Sequence, residues 1–408
     1  MAGKVPVGLV FSITGPYSAV SSAMLNGALL AIDQVNDDPA YDFDLEPHFI
    51  DPAASLEAYR SACEYFLKQL GISHVIGCYT SISRKEVIPC FEKYDGLLWY
   101  PSHYEGFETS GNVIYTGAAP NQHILPLAGH LARDYGTRAY CVGSNYVWAW
   151  ENNRILRDIM AAKGGGVVSE KYVPVGSGDV EHLIRDIVRA RPDFIFSTLI
   201  GDSRYAFVRA FQALGRREPA FAVERLPIAD CSLSEPELLR IGPEASRGLI
   251  SSSVYFQSIE SDCNRRFIER YQARFGRQAV TSADAEASYI AVLLLAEALR
   301  AAGTTAIEAV RAAALGCGVE APQGRVTIDA ENAHCYLTPR LARARDDHQF
   351  EIFQAAPEPV KPDPYLVWVD LGEAGAPAEP ERPEAAAWAA GAEAPGGARR
   401  PSLKLVKS

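Results

Sequence analysis

Residues 77–108 read GCYTSISRKEVIPCFEKYDGLLWYPSHYEGFE. The stretch leaves one apolar run, HVIGC (74–78), and enters a helical segment from about Ser83, which Pro89 is expected to interrupt. It closes on a second apolar run, GLLWY (96–100). Strand, helix and strand in quick succession form the repeating unit of a parallel α/β sheet. The second run ends at Leu97–Glu108, LLWYPSHYEGFE, where aromatics stand next to Pro101, Ser102 and His103. Aromatics around a few hydroxyls build small, mostly apolar ligand pockets. They are also what a strand end in an ordinary core looks like.

The same alternation runs outward in both directions. VPVGLVF (5–11) and LEPHFI (45–50) are strand-like, with a helix between them that carries Leu25, Leu29 and Ile32 on one face. Tyr59, Ala62, Cys63, Phe66, Leu67 and Leu70 keep the spacing of a buried helical face, and NVIYTG (112–117) adds a strand. A second series begins near residue 124. It holds the strand RAYCVGS (138–144), a helix over 150–164 ending in Gly164–Gly166, VVSEKYVPV, the helix DVEHLIRDIVRAR and the strand PDFIFSTLI (192–200). A helix to about Leu214, a weak strand near Phe221–Val223 and LISSSVYF (249–256) follow. Helices at 260–275 and 283–302 precede GRVTID (324–329), YLTPRLARA (336–344) and QFEIFQ (349–354), read as strands of a meander. Two such blocks predict two doubly wound, mostly parallel α/β lobes. The expected division is 1–123 with 256–328 in the N-terminal lobe, and 124–255 with 329–372 in the C-terminal lobe. Residues 373–408, rich in Ala, Pro, Glu and Gly without apolar period, are expected to be a disordered tail.

The totals narrow the class. At 408 residues two domains are the default. A formal net charge of −11 and a pI near 5.3 argue against direct nucleic-acid binding. No apolar run is long enough to span a membrane. MAGKVPVGLVF enters a strand-type run at once, without the layout of a secretory signal. Either the protein is cytoplasmic or a signal has been removed, and eight dispersed cysteines without a C-x-x-C pair favour the reducing compartment.

Catalytic signatures are missing. There is no phosphate-binding G-x-x-x-x-G-K-[ST], no H-E-x-x-H, no zinc-type spacing and no strand followed by G-x-G-x-x-G. Neither a metal nor another cofactor is therefore expected. Gly201-Asp202-Ser203 after PDFIFSTLI resembles a strand-end nucleophile, but capping of the next helix by Asp202 or Ser203 is the simpler reading. A binding protein rather than an enzyme is expected.

Residues 77–108, with NVIYTGAAPNQ (112–122), GLVFSITG, GSNYVW (143–148), EAPQGRVTID (320–329) and EPVKPDPYLV (358–367), resemble the type I periplasmic-binding-protein fold. Within it they are similar to the amide-sensing negative regulators of aliphatic amidase operons (AmiC type), relatives of urea and short-chain amide receptors of ABC transporters. The matches span nearly the whole chain up to the tail. The resemblance implies two lobes joined by hinge crossovers that close on a small amide or urea-like ligand. Tyr79, Ser81, Tyr100 and Ser102 form one wall, Tyr146 and Trp148 the other, and Ser232 is a weaker candidate. The hydroxyl and N–H of Ser81 would donate to the amide carbonyl, although Ser81 also reads as an N-cap. Arg84 and Lys85 read as surface residues of the same helix. His103 stands where the family has proline, Trp148 where it has tyrosine and Ser102 where it has threonine. As a hypothesis, the ligand carries an extra polar group met by His103, which would titrate near neutrality. The resemblance further implies a cytoplasmic sensor that holds an RNA-binding antitermination factor inactive, as a dimer or trimer. Its alternative is the substrate-binding component of an ABC transporter for urea or short amides.

Overall fold

The structure, a computed structural model, describes residues 3–372 except Val369. The expected disordered tail, 373–408, lies outside the described residues. The chain opens with β1 (Gly3–Val10), α1 (Ser18–Asp37), β2 (Phe43–Ile50), α2 (Leu56–Glu64), β3 (His74–Gly77), α3 (Ser81–Tyr94), β4 (Leu97–Tyr100) and β5 (Val113–Tyr115). These strands form one sheet in the order β2-β1-β3-β4-β5, with every neighbouring pair parallel. β3 and β4 are buried along their whole length. That is why their sequences are continuous apolar runs rather than alternating ones: helices cover both faces of the sheet.

The second block is α4 (Pro120–Asp134), β6 (Arg138–Ser144), α5 (Val147–Ala162), β7 (Gly166–Val173), α6 (Glu181–Ala190), β8 (Phe194–Thr198), α7 (Asp202–Arg217), β9 (Ile228–Asp230), α8 (Glu235–Ile241), α9 (Pro243–Ser246) and β10 (Ile250–Ser253). The chain then gives α10 (Asp262–Phe275), α11 (Ala283–Ala302), α12 (Ile307–Ala314), β11 (Gly318–Ala321), β12 (Gly324–Ile328), β13 (Cys335–Tyr336), β14 (Arg340–Ala344) and β15 (Phe350–Ala355). A seven-stranded sheet runs β15-β14-β10-β9-β8-β6-β7, parallel from β7 to β10 and antiparallel at β14 and β15. The fold is thus α/β with two lobes built on parallel sheets. Between them the chain passes at 116–119, 254–261 and 337–339.

α11 returns to the first lobe, where it packs on α1, β3 and β4. Most of it is buried, which accounts for its nearly unbroken apolar sequence. The crossing with α1 is so close that a Cβ on Gly27 would overlap the Ala285 carbonyl. No single helix among the described residues is long and apolar enough to cross a membrane. All eight cysteines are free thiols, and six are buried.

Several local expectations change. Pro89 does not interrupt α3, which runs unbroken to Tyr94. Pro89 lies on the exposed face, where water can satisfy the carbonyl that loses its N–H partner. Thr80, not Ser81, caps α3: its hydroxyl accepts the Ser83 N–H at 3.3 Å. The weak strand near Phe221–Val223 is a 3₁₀ turn, Pro219–Phe221, and the strand is the unpredicted β9. YLTPRLARA is not one strand. Pro339 has no N–H to donate, and β13 and β14 on either side of it join different sheets. α7 begins at Gly201 with no side-chain cap, and the Ser203 hydroxyl instead donates to the Pro174 carbonyl.

Candidate functional site

Parallel strands that enter helices leave their carboxyl ends open, and the connecting loops there form a crevice. Tyr79 and Ser81 follow β3, Ser102 and His103 follow β4, Tyr146 and Trp148 follow β6, and Ile200 follows β8. These seven residues line one small space between the lobes, partly open to solvent. The His103 and Trp148 rings meet edge to face across the cleft, 5.5 Å apart, and Tyr146 stacks on Trp148 at 6.2 Å. Gly117 holds the loop that carries Ser102 and His103: a Cβ there would overlap the Ser102 carbonyl.

Two polar atoms in this wall are buried with no partner among the described residues, the Ser102 Oγ and the Trp148 Nε1. The nearby Tyr100 hydroxyl donates to the Tyr79 carbonyl at 3.0 Å, and its oxygen stays able to accept from Ser102. A buried donor left unsatisfied costs free energy, so the two are candidate contact points for a ligand. None of the seven lining residues carries a fixed charge. Burial, with His123 and Arg204 nearby, pushes the His103 imidazole well below its usual range, so it is neutral. The expectation that it titrates near neutrality is therefore corrected.

Six of the eight sequence candidates are brought together: Tyr79, Ser81, Ser102, His103, Tyr146 and Trp148. Tyr100 and Ser232 do not line this space. Tyr100 sits one layer behind, its ring under the Arg84 guanidinium at 4.6 Å. Ser232 belongs to a buried ionic cluster, where it donates to Asp230 at 2.9 Å and accepts from Arg204, which also pairs with Asp230 and Glu237.

Arg84 is the residue that sequence reasoning misplaced. Far from lying on the surface, it is fully buried and bridges Glu105 at 3.1 Å and Glu108 at 2.7 Å, with its plane also over Tyr104. Lys85 reaches the same Glu108 at 2.7 Å. Burial alone would raise the Glu108 carboxyl, but the Arg84 charge and the hydrogen bonds from Arg84 and Lys85 hold it down at about 2. The Ser81 hydroxyl donates to Glu105 and receives Arg84 at 3.4 Å. Its proton is thus spent inside the protein rather than held for a ligand. The signal was in the sequence, since Arg84 is followed by Glu105 and Glu108, but nothing in one chain's spacing says that a loop folds those carboxylates back over the helix.

Beyond His103 a second small space opens toward the start of α11, bounded by His123, Cys231, Ser253 and Asp284 among others. His103 Nδ1 lies 3.9 Å from Asp284 Oδ1. Both cations close to the crevice, Arg84 and Arg204, are already paired with two carboxylates each.

The comparisons with known proteins agree with this architecture. Residues 5–370 match the model described as periplasmic binding protein domain. A Leu/Ile/Val-binding protein homologue of Brucella abortus (strain 2308) is 22% identical over 346 residues, 82% of this chain and 85% of that protein. A limonene hydroxylase of Geobacillus stearothermophilus matches over 126 residues only, at 26% identity, so that the match spans 23% of its length. Among solved structures, an ABC-transporter solute-binding protein of Rhodopseudomonas palustris HaA2 in complex with p-hydroxybenzoic acid superposes with a TM-score of 0.80 at 19% identity, covering 90% of this chain and 99% of that one. An amino-acid ABC-transporter substrate-binding protein of Pseudomonas fluorescens Pf-5 gives a TM-score of 0.75 at 17% identity, covering 91% and 98%. With the family model matched over almost the entire described chain, and with the crevice where that fold keeps its ligand, this chain belongs to the periplasmic binding protein domain family.

Proposed function

We propose that this protein is the solute-binding component of an ABC-type uptake system, and that its ligand is a small neutral amide or urea-like molecule, held between the lobes and released unchanged. The observation that carries the reading is the uncharged crevice, with the Ser102 hydroxyl and the unpartnered Trp148 Nε1 belonging to residues of its wall. A primary amide offers a carbonyl acceptor and two N–H donors. The Trp148 N–H meets the acceptor, and Ser102, which both donates and accepts, meets the other edge. A carboxylate ligand of the kind named for the Rhodopseudomonas protein needs a cation or a cluster of N–H groups. Here the neighbouring arginines are fully committed to acidic side chains.

The receptor role is supported by the Brucella relative, described as a Leu/Ile/Val-binding protein homologue, and by the similar solved structures, described as ABC-transporter solute- or substrate-binding proteins. It is favoured over the operon-regulator role with an antitermination partner that the amide-sensor resemblance implied. It also places the working protein outside the cytoplasmic membrane rather than in the cytoplasm, which fractionation of the native host checks. Titration calorimetry with urea, acetamide, propanamide, benzoate, 4-hydroxybenzoate and leucine tests the ligand class. Saturable heat from the amides or urea alone is expected, and binding of the aromatic acids or of leucine in their place overturns the reading.

A further inference from the structure

The space beyond His103 is the part of the molecule that a minimal amide does not use. His103 borders both spaces. Its far wall is the first turn of α11, where Asp284 is 3% exposed and pairs with no lysine or arginine. Its other polar boundary includes His123, whose Nδ1 is buried with no partner among the described residues. His123 Nε2 is occupied by the Tyr104 carbonyl at 3.0 Å. The groups that set the local field are Glu235 and Glu237 on α8, Arg204 on α7, Asp230 after β9, and the neutral His103 and His123. Arg204, the one strong base in this group, is already paired with Asp230 and Glu237, which leaves Asp284 with His103 as its nearest basic group among the described residues.

Resting on the reading above, we propose that this second space is a cation subsite, in which Asp284 receives an ammonium group carried on the far end of the ligand. The preferred ligand class is then a short amino-amide, with its neutral carboxamide or urea head at Ser102 and Trp148 and its amine at Asp284. His103 stands between the two ends, its Nδ1 3.9 Å from Asp284 Oδ1. Without a cation, burial pushes the Asp284 carboxyl up to about 8, with Glu237 adding to the rise, so the empty protein holds it protonated at neutral pH. Seating an ammonium restores the ionised form, and the proton leaves for solvent.

Calorimetry with 3-aminopropanamide against propanamide, at pH 7 in phosphate and in Tris, is the test. We expect the amino-amide to bind about tenfold more tightly or better, the order of one charge-assisted hydrogen bond. Its binding heat should differ between the two buffers by the release of up to one proton, while the heat for propanamide should not. In Asp284→Asn the affinity ratio should fall to within about twofold, and the buffer dependence should vanish. Equal affinities in the wild type, or no proton release, overturn the cation subsite and leave the amide pocket standing. If the wild type binds neither compound, the amide reading itself fails and the subsite falls with it. Proton release is measured on the unaltered protein, so the test does not depend on the folding of the variant.

Discussion

Arg84 and Ser102 show opposite ways of placing polar chemistry beside a ligand. The Arg84 guanidinium satisfies two carboxylates and lies over two tyrosine rings, and it stiffens the wall without meeting the ligand. Removing one partner of such a buried network leaves uncompensated charge, so Arg84→Met should cost about 3–5 kcal/mol in urea unfolding. It should also change the acid side of the stability curve. Because the Glu108 pKa is depressed in the folded protein, its contribution is present above the ordinary carboxylate range and is lost as pH falls toward about 2. The variant should lose that acid-side slope. Ser102 is the reverse case, a buried hydroxyl in the wall of the crevice that takes part in no ionic network. Ser102→Ala should weaken amide binding about tenfold, read by calorimetry, while the melting temperature of the empty protein stays level or rises. A lower melting temperature with unchanged affinity would make Ser102 structural. Of these two residues only Ser102 was legible in the sequence, through its place after a strand and its family match. The burial of Arg84 depends on a loop fold that no local period encodes.

At the scale of elements, the site is held by helix and loop crossings that tolerate no extra atom. Gly27 on α1 faces the Ala285 carbonyl, one residue past Asp284. By helix propensity alone Gly27→Ala should stabilise the protein by about 1 kcal/mol. The close approach predicts the opposite, a loss of about 1–3 kcal/mol in denaturant unfolding as α1 is pushed from α11. The measured sign decides between the two. Long elements with a clear period, such as α11, were legible because burial on nearly every side leaves an unbroken apolar run. β9 was not, since three residues, Ile228–Asp230, show no period. Pro89 and Pro339 were misread in opposite directions: a break was expected at Pro89 and is not there, and none was expected at Pro339, where the strand breaks. Proline's missing N–H matters only where tertiary contacts require a donor, and Pro89 is on a wet face while Pro339 stands between two sheets.

At the scale of the whole molecule, the fold buries several acidic groups whose protonated form it favours. Burial pushes Glu235 and Glu237 up to about 7, and Asp284 and Glu286 up to about 8. A raised folded-state pKa means the native protein binds more protons than the unfolded chain between about pH 4 and 8. The stability these groups allow is therefore fully present at the acid end of that window and falls as pH rises through 7 and 8. The melting temperature should drop from pH 6 to pH 9, and Asp284→Asn should flatten part of the slope. The two lobes also meet across the mouth of the crevice, where the Arg154 guanidinium of α5 lies 4.7 Å from the Phe107 ring. Small-angle scattering should show a smaller radius of gyration on addition of an amide ligand, since binding favours the closed population. Phe107→Ala should shift the empty protein toward the more open value.

The sequence by itself determined the alternating strands and helices, the two-lobed α/β class and the strand ends that bear Tyr79, Ser81, Ser102, His103, Tyr146 and Trp148. Each of these is a local signal: an apolar run, a helical period, or a polar residue just past a strand. Only the tertiary structure decided that Ser81 spends its proton on Glu105, that Ser232 serves an ionic cluster, and that Asp284 borders a small space beside His103. The reason is physical. Protonation, pairing and enclosure depend on what other segments bring within a few ångströms, and residues 103 and 284 become neighbours only when α11 folds back onto the first sheet.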